Sequence, residues 1–263
     1  MSENRCTLTF DADNVAHLRL NRPGARNAID LAMVEAVAGA IDTIATDETA
    51  RALLISAEGP SFSVGGDLKY FAERLDSLSG ALAESIALWH RALSDLAALP
   101  IPVVTAIQGG TSGGGLGLVW CADHVIASEG MKMATGFADL GLSGDGGSSW
   151  HLPRLVGLRR AQELLLDNKI LDAETALEWG LVNRVVPEED LLECGLDQAR
   201  RYSSRSITAI RQLKRLLTSS TSSSYAEQLN AELDAMINCS TTSDARIGIR
   251  SFVHRTAATF TDR

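Results

Sequence analysis

Polar and apolar positions alternate through Thr7-Leu-Thr-Phe10 and Val15-Ala-His-Leu-Arg-Leu20, with Asp11, Ala12, Asp13 and Asn14 between them, which predicts two strands joined by a turn. Behind Asp30 the pattern changes period. Met33, Val37, Ile41 and Ile44 recur at helical spacing and predict a helix capped by that aspartate. Continuous apolar runs at 51–56, 102–107 and 123–127 then read as buried strands, the first two followed by a loop rich in glycine, the second of these leading to a short helix at 116–121. From 159 onward the spacing is mostly helical, at 160–166, 173–179, 188–202, 207–217 and 225–237, interrupted by one short strand at 183–186. The serine and threonine run 218–224 is the expected linker to the last segment.

Composition narrows the class without naming a chemistry. The chain has 263 residues, 45% hydrophobic and 22% charged, with a formal net charge of −9. That describes one water-soluble domain with a helical appendage. The acidic balance, without a basic cluster, argues against a nucleic-acid surface. The longest stretch free of Asp, Glu, Lys and Arg, 96–122, is broken by Pro100, Pro102, Gln108 and six glycines, so no membrane span is expected. The N-terminus shows no basic region followed by an apolar run. Cys6, Cys121, Cys194 and Cys239 form no CxxC pair, so free thiols in a cytoplasmic protein, with no metal site, are expected.

The chemistry concentrates in two loops, Ser61-Phe-Ser-Val-Gly-Gly-Asp-Leu-Lys69 and Gly109-Gly-Thr-Ser-Gly-Gly-Gly-Leu-Gly117. Each lies between a strand and a helix, where glycines admit close backbone approach and the first amides of a helix point outward unpaired. Neither fits a P-loop or a dinucleotide fingerprint. Tight packing alone would also explain the glycines.

These loops, together with Asn21-Arg-Pro-Gly-Ala-Arg-Asn-Ala28, Pro102-Val-Val-Thr-Ala-Ile-Gln-Gly109, Cys121-Ala-Asp123 with Ile126-Ala127, and Ala176-x-x-x-Gly-Leu-Val182, resemble the crotonase, or enoyl-CoA hydratase/isomerase, family over nearly the whole chain. The resemblance implies an α/β fold, a spiral of ββα units over 1–200 carrying a CoA-thioester site, and a C-terminal helical region over 201–263 that builds a homotrimer or dimer of trimers. It implies acyl-CoA thioester substrates, with coenzyme A part of the substrate and no separate cofactor. By motif position, the amides of Gly66 and Gly114 would form an oxyanion hole for the thioester carbonyl. Such a hole would stabilise a developing enolate by about 3 kcal/mol per donor.

The family's hydratases carry two glutamates that grip one water. Gly117 and Phe137 stand at those positions here. Gly141-Leu-Ser-Gly-Asp-Gly-Gly-Ser148 instead resembles the branch with an aspartate in this loop, seen in some enoyl-CoA isomerases and in an aryl-CoA dehalogenase, which makes Asp145 the expected catalytic carboxylate. One carboxylate suffices to move a proton from the alpha to the gamma carbon of an enoyl thioester. The alternative role for Asp145 is to cap the helix that begins near Ser148. Trp89-His90 resembles the dehalogenase's tryptophan-histidine pair, so His90 is the second catalytic candidate; His151 is expected to be structural.

Arg26, Ala28, Ser63, Val64, Gly65 and Leu68 fall where the family lines its CoA path. Phe252, Arg255 and Phe260 match a C-terminal helix that often reaches a neighbour's CoA. Asp67 and Asp244 are expected to cap the helices they precede. The leading expectation is thus an enoyl-CoA isomerase. The alternatives are a 2-enoyl-CoA hydratase, dehalogenase-like hydrolysis using Asp145 and His90, and a non-catalytic acyl-CoA binding protein.

Overall fold

The computed structural model describes residues 4–262. Among the described residues nine strands make two sheets. The larger runs β1 (Cys6–Phe10), β2 (Val15–Leu20), β3 (Ala52–Ala57), β4 (Val103–Ile107), β6 (His124–Ser128) and β9 (Arg184–Val186), in that order. Only the β1–β2 hairpin is antiparallel; every later pairing in this sheet is parallel. The smaller sheet contains β5 (Gly110–Ser112), β7 (Lys132–Ala134) and β8 (Leu171–Asp172). A parallel bridge from Ser63 to Thr111 extends it toward the first glycine loop. After β4 and again after β6 the chain adds a three-residue strand, β5 and then β7, to the second stack.

Helices complete the layers: α1 (Leu31–Thr46), α2 (Leu68–Ala72), α3 (Leu78–Ala98), α4 (Gly117–Trp120), α5 (Ser148–Leu166), α6 (Ala173–Glu178), α7 (Leu191–Ser203), α8 (Ile207–Ser219), α9 (Tyr225–Ser240) and α10 (Ser243–His254). The period of two in β3 and β4 sorts the core. Leu53, Ile55, Val103 and Ile107 face α1 and α3, whereas Leu54, Val104 and Ala106 join Leu191 and Ala199 of α7 on the opposite face. Both faces of the parallel sheet are covered, so its strands read as unbroken apolar runs.

Several local expectations hold. Asn14 sits at φ 58 in the β1–β2 turn, and Asp30 accepts the Met33 amide at 2.9 Å as the cap of α1. Other segments depart from the sequence reading. The second glycine loop contains β5, and β7 has no sequence counterpart; three-residue strands are too short to show a period. The expected linker at 218–224 is a helical hairpin turn. The Ser224 hydroxyl and Glu227 form a capping box, and Gln228 Nε2 donates to the Leu216 carbonyl at 3.0 Å, fixing α9 against α8. Asp244 is buried and does not cap α10, a task taken by Thr242; its carboxylate accepts the amides of Thr261 and Asp262 at 2.7 and 3.1 Å. Thr261 and Asp262 are thereby folded back toward Arg51, whose guanidinium donates to the carbonyls of Ser203, Arg205 and Asp262.

Candidate active site

A cavity of about 360 Å³ opens between the two glycine loops, α3 and the loop that precedes α5. Gly66, Gly114, His90 and Asp145 all line it.

The first loop is fixed by short-range chemistry. Ile29 donates its amide to the Gly65 carbonyl at 2.8 Å and accepts the Asp67 amide at 2.9 Å. Because the peptide is trans, a Gly65 carbonyl held by Ile29 turns the Gly66 N–H away from Ile29. Asp67 caps α2, accepting the amides of Lys69 and Tyr70, and pairs with Arg22 at 2.7 Å. Burial pushes the Asp67 carboxyl up, but Arg22 and the two amides outweigh it and hold it below the usual carboxylate range.

The second loop runs from β5 into a 3-10 turn at Gly113–Leu116, continued by α4. Gly114 lies in its first turn, where amides have no intrahelical acceptor. Its carbonyl accepts the Trp89 indole N–H at 3.0 Å. The two loops touch at Gly65, which sits at φ +84; a methyl group there would lie 3.0 Å from the Gly113 Cα and 3.2 Å from the Gly114 nitrogen. Only glycine lets the loops close this far without covering the Gly114 amide.

The Asp145 carboxylate stands close to Gly114 of the second loop. One oxygen, Oδ2, is 3.1 Å from where a methyl on Gly114 would be, and the other, Oδ1, is 2.5 Å from His90 Nε2. The Asp145 side chain is turned to the cavity, and its backbone carbonyl, not its carboxylate, accepts the Ser148 amide at the start of α5. Trp89 and His90 thus act on the two sides of the site from one stretch of α3: the indole holds the Gly114 peptide and the imidazole holds the carboxylate. The arrangement brings the Asp145 carboxylate close to Gly114, in a cavity that Gly66 also lines.

The positions of the family's hydratase glutamates are occupied differently. A Cβ on Gly117 would fall 2.4 Å from Leu93 Cδ1 and 3.1 Å from the Gly146 carbonyl oxygen, so packing fills that space. Phe137 lines the cavity with an apolar ring. Trp150 lies outside the cavity and packs its ring on His151 at 4.6 Å, beneath the Arg154 guanidinium at 4.0 Å. Burial, then Arg154, push the His151 imidazole down from its ordinary value. Both rings border an outer cleft that reaches His90 from the other side.

Of the residues expected along the CoA path, Val64 and Leu68 line the cavity. Arg26 sits at φ 53 with its Nε donating to the Ser61 hydroxyl at 3.2 Å, over Gly110 and next to Val64. Ser63 is fully buried and donates its hydroxyl to the Asn27 carbonyl at 2.8 Å, and Ala28 is buried with its carbonyl held by Arg22; these two support the loop from behind. Phe252 is 87% exposed, and neither it nor Arg255, at the C-terminus of α10, borders this chain's own cavity. The sequence reading did not single out Leu82, Ser85 and Ile86, which line the cavity from α3. Their helical spacing with Trp89 and His90 was the available signal. Among the described residues no three His, Cys, Asp or Glu side chains are grouped to hold a metal.

Comparison with known proteins agrees with this architecture. The family model for enoyl-CoA hydratase/isomerase matches residues 11–263. The chain is 31% identical over 258 residues to a trans-2-decenoyl-[acyl-carrier-protein] isomerase of Streptococcus mutans, covering 97% of this chain and 98% of that one. It is 34% identical over 179 residues to a 4-chlorobenzoyl coenzyme A dehalogenase of an Arthrobacter species, covering 68% of this chain and 65% of the relative. A crystal structure of an enoyl-CoA hydratase from Polaromonas sp. JS666 superposes with a TM-score of 0.93 at 27% identity, over 97% of this chain and 99% of that one. With both glycine loops in place and the match running almost from end to end, this chain belongs to the enoyl-CoA hydratase/isomerase family.

Proposed function

We propose that the protein is an enoyl-CoA isomerase in which Asp145 carries the proton. The observation that carries this reading is the single carboxylate against Gly114, with Leu93 filling the space at Gly117. The thioester oxygen sits between the Gly66 and Gly114 amides. Asp145 removes a proton from the alpha carbon of a 3-enoyl thioester, the electron pair shifts onto the oxygen as a dienolate, and the carboxyl, which exchanges its proton with solvent, delivers a proton to the gamma carbon. The double bond moves into conjugation, and no atom is gained or lost. His90 keeps Oδ1 oriented and leaves Oδ2 to meet the substrate. Hydration finds less support, since neither Gly117 nor Phe137 supplies a second group to activate water. Rising absorbance of the conjugated thioester from 3-enoyl-CoA, abolished in Asp145→Asn, tests the reading; an active Asp145→Asn would overturn it.

A second reading rests on the His90–Asp145 contact at 2.5 Å. Attack of Asp145 on an activated aryl-CoA, with His90 drawing a proton from the water that hydrolyses the resulting ester, uses the same pair. Chloride release from 4-chlorobenzoyl-CoA distinguishes it. A binding protein without turnover is disfavoured by the intact loops and the positioned pair.

The assembly belongs to the same proposal. Exposed Leu213, Leu217, Leu233, Met236 and Phe252 on α8–α10 present apolar surface that a second and third copy would cover, giving a homotrimer or dimer of trimers. In that assembly Phe252 and Arg255 reach a neighbour's CoA. The four unpaired cysteines suit a reducing cytoplasm.

A further inference from the structure

His90 stands in the wall between two cavities. On one side is the cavity that Asp145 lines, and on the other is the outer cleft, of about 350 Å³, bordered by Ser94, Ala97, Cys121, Trp150 and His151. Among the described residues His90 alone borders both, and its side chain is 51% exposed. Beside it the partition is closely packed: a methyl on Gly146 would fall 3.1 Å from the Gly114 carbonyl oxygen and 3.4 Å from the Gly117 Cα. Asp145 borders the inner cavity only, at 19% side-chain exposure, and meets His90 Nε2 through Oδ1. An imidazole engaged through one ring nitrogen keeps the other for a second partner. The outer cleft offers that partner no fixed charge. No Asp, Glu, Lys or Arg among the described residues lines it; burial pushes the Cys121 thiol up to about 12, and burial, then Arg154, push the His151 imidazole down. A neutral cleft with the hydroxyl of Ser94 and two imidazoles on its walls suits water rather than an ion.

We propose that the outer cleft is the proton-exchange route of the site, with His90 relaying protons between Asp145 and water. The inference rests on the isomerase reading. A bound thioester fills the inner cavity and closes the carboxylate's own access to solvent, but it leaves the cleft side of His90 open. Once Asp145 has taken the alpha proton, a half-turn of the carboxyl brings that proton to the oxygen facing Nε2. The imidazole accepts it there and releases its Nδ1 proton to water in the cleft. The reverse passage returns a solvent proton to the carboxyl, so atoms and charge balance and the dienolate is untouched. His90 meets no reacting carbon and acts through Asp145. The proton delivered to the gamma carbon therefore comes chiefly from water, although the substrate seals the cavity in which it is delivered.

The route can be plugged without touching the acid or the relay. Ser94 follows His90 by one helical turn on α3, and both Ser94 and Ala97 are exposed, so Ser94→Trp fills the cleft beside the imidazole. The full chain is given 3-octenoyl-CoA carrying deuterium at both alpha positions in ordinary water, and the 2-enoyl product is weighed by mass spectrometry at low conversion. Direct return of the abstracted deuteron leaves two deuterium atoms in the product, and exchange leaves one. Wild type should give chiefly the singly labelled product. Ser94→Trp should raise the ratio of doubly to singly labelled product about tenfold while turnover stays within about threefold of wild type. Ala97→Trp fills the same cleft and serves should Ser94→Trp not fold. A wild-type product that keeps both deuterium atoms, or folded variants with the wild-type ratio, overturns the inference. If wild type converts no 3-enoyl-CoA, the isomerase reading fails and takes the relay with it. Access through the cleft has its own readout, independent of turnover. With octanoyl-CoA bound, diethyl pyrocarbonate should still modify His90 in wild type and should fail to do so in Ser94→Trp. Protection of His90 by the thioester alone would place its access in the inner cavity and overturn the inference.

Discussion

Replacing Gly65 by alanine isolates the amide geometry from the carboxylate. The new methyl lies 3.0 Å from the Gly113 Cα and the Ser112 carbonyl oxygen and 3.2 Å from the Gly114 nitrogen, with the backbone at φ +84. A side chain at positive φ costs about 1–2 kcal/mol, and forced overpacking in a close contact adds roughly 1–3 kcal/mol. The loops relieve this by separating, and the methyl screens the Gly114 N–H. Losing one oxyanion donor removes about 3 kcal/mol of transition-state stabilisation, or roughly 100-fold in kcat. Two assays resolve the effect. Infrared spectroscopy of a bound acyl-CoA labelled at the thioester carbonyl should show the stretch lowered in wild type and moved back toward its solution value in Gly65→Ala. Turnover of whichever enoyl-CoA the wild type converts should fall by about 100-fold. A folded Gly65→Ala with an unchanged carbonyl stretch and turnover within a few-fold of wild type would refute the assignment of Gly114 as a donor.

Three further outcomes follow from the same geometry. His90→Gln should lower kcat by about 100-fold through the misplaced carboxylate, with Kd for the thioester little changed; parallel loss of binding would give His90 a structural role instead. Gly117→Glu should melt below wild type and hydrate no 2-enoyl-CoA, because Leu93 occupies the space, and adding Leu93→Ala should recover much of the lost Tm. Asp67→Asn should lose about 2 kcal/mol at neutral pH, since both partners of the Arg22 pair are largely buried at 18% and 11% exposure. The folded-state carboxyl sits below its unfolded value, so this difference is full above about pH 4 and disappears as pH falls through the lower folded value. Urea melts of both proteins across that range check it.

What the sequence discloses here depends on how far each interaction reaches. The caps at Asp30 and Asp67 are legible because a carboxylate and the amides two or three residues on settle them locally. Asp244 has the same local appearance, yet its partners are Thr261 and Asp262, which only the folded chain brings near. Asp145 and the glycine loops are legible as motifs. The His90–Asp145 contact spans fifty-five positions, and it depends on how α3 lies across the loops. Leu93 and Ser85 depend on the same packing: the helix is readable from its period, but which face meets Gly117 or the cavity is a tertiary fact. The strands β5 and β7 were hidden because glycine and three-residue length erase the alternation that marks a strand.

The central claim is that Asp145 carries a proton between two carbons of a thioester held by the loop amides. Incubating 3-enoyl-CoA in deuterated water with wild type and with Asp145→Asn, and following the mass and position of label, tests it most directly. The account predicts conversion to 2-enoyl-CoA with deuterium bound to carbon in wild type and neither in the variant. Conversion unaffected by Asp145→Asn, or a product heavier by one molecule of water, would contradict it.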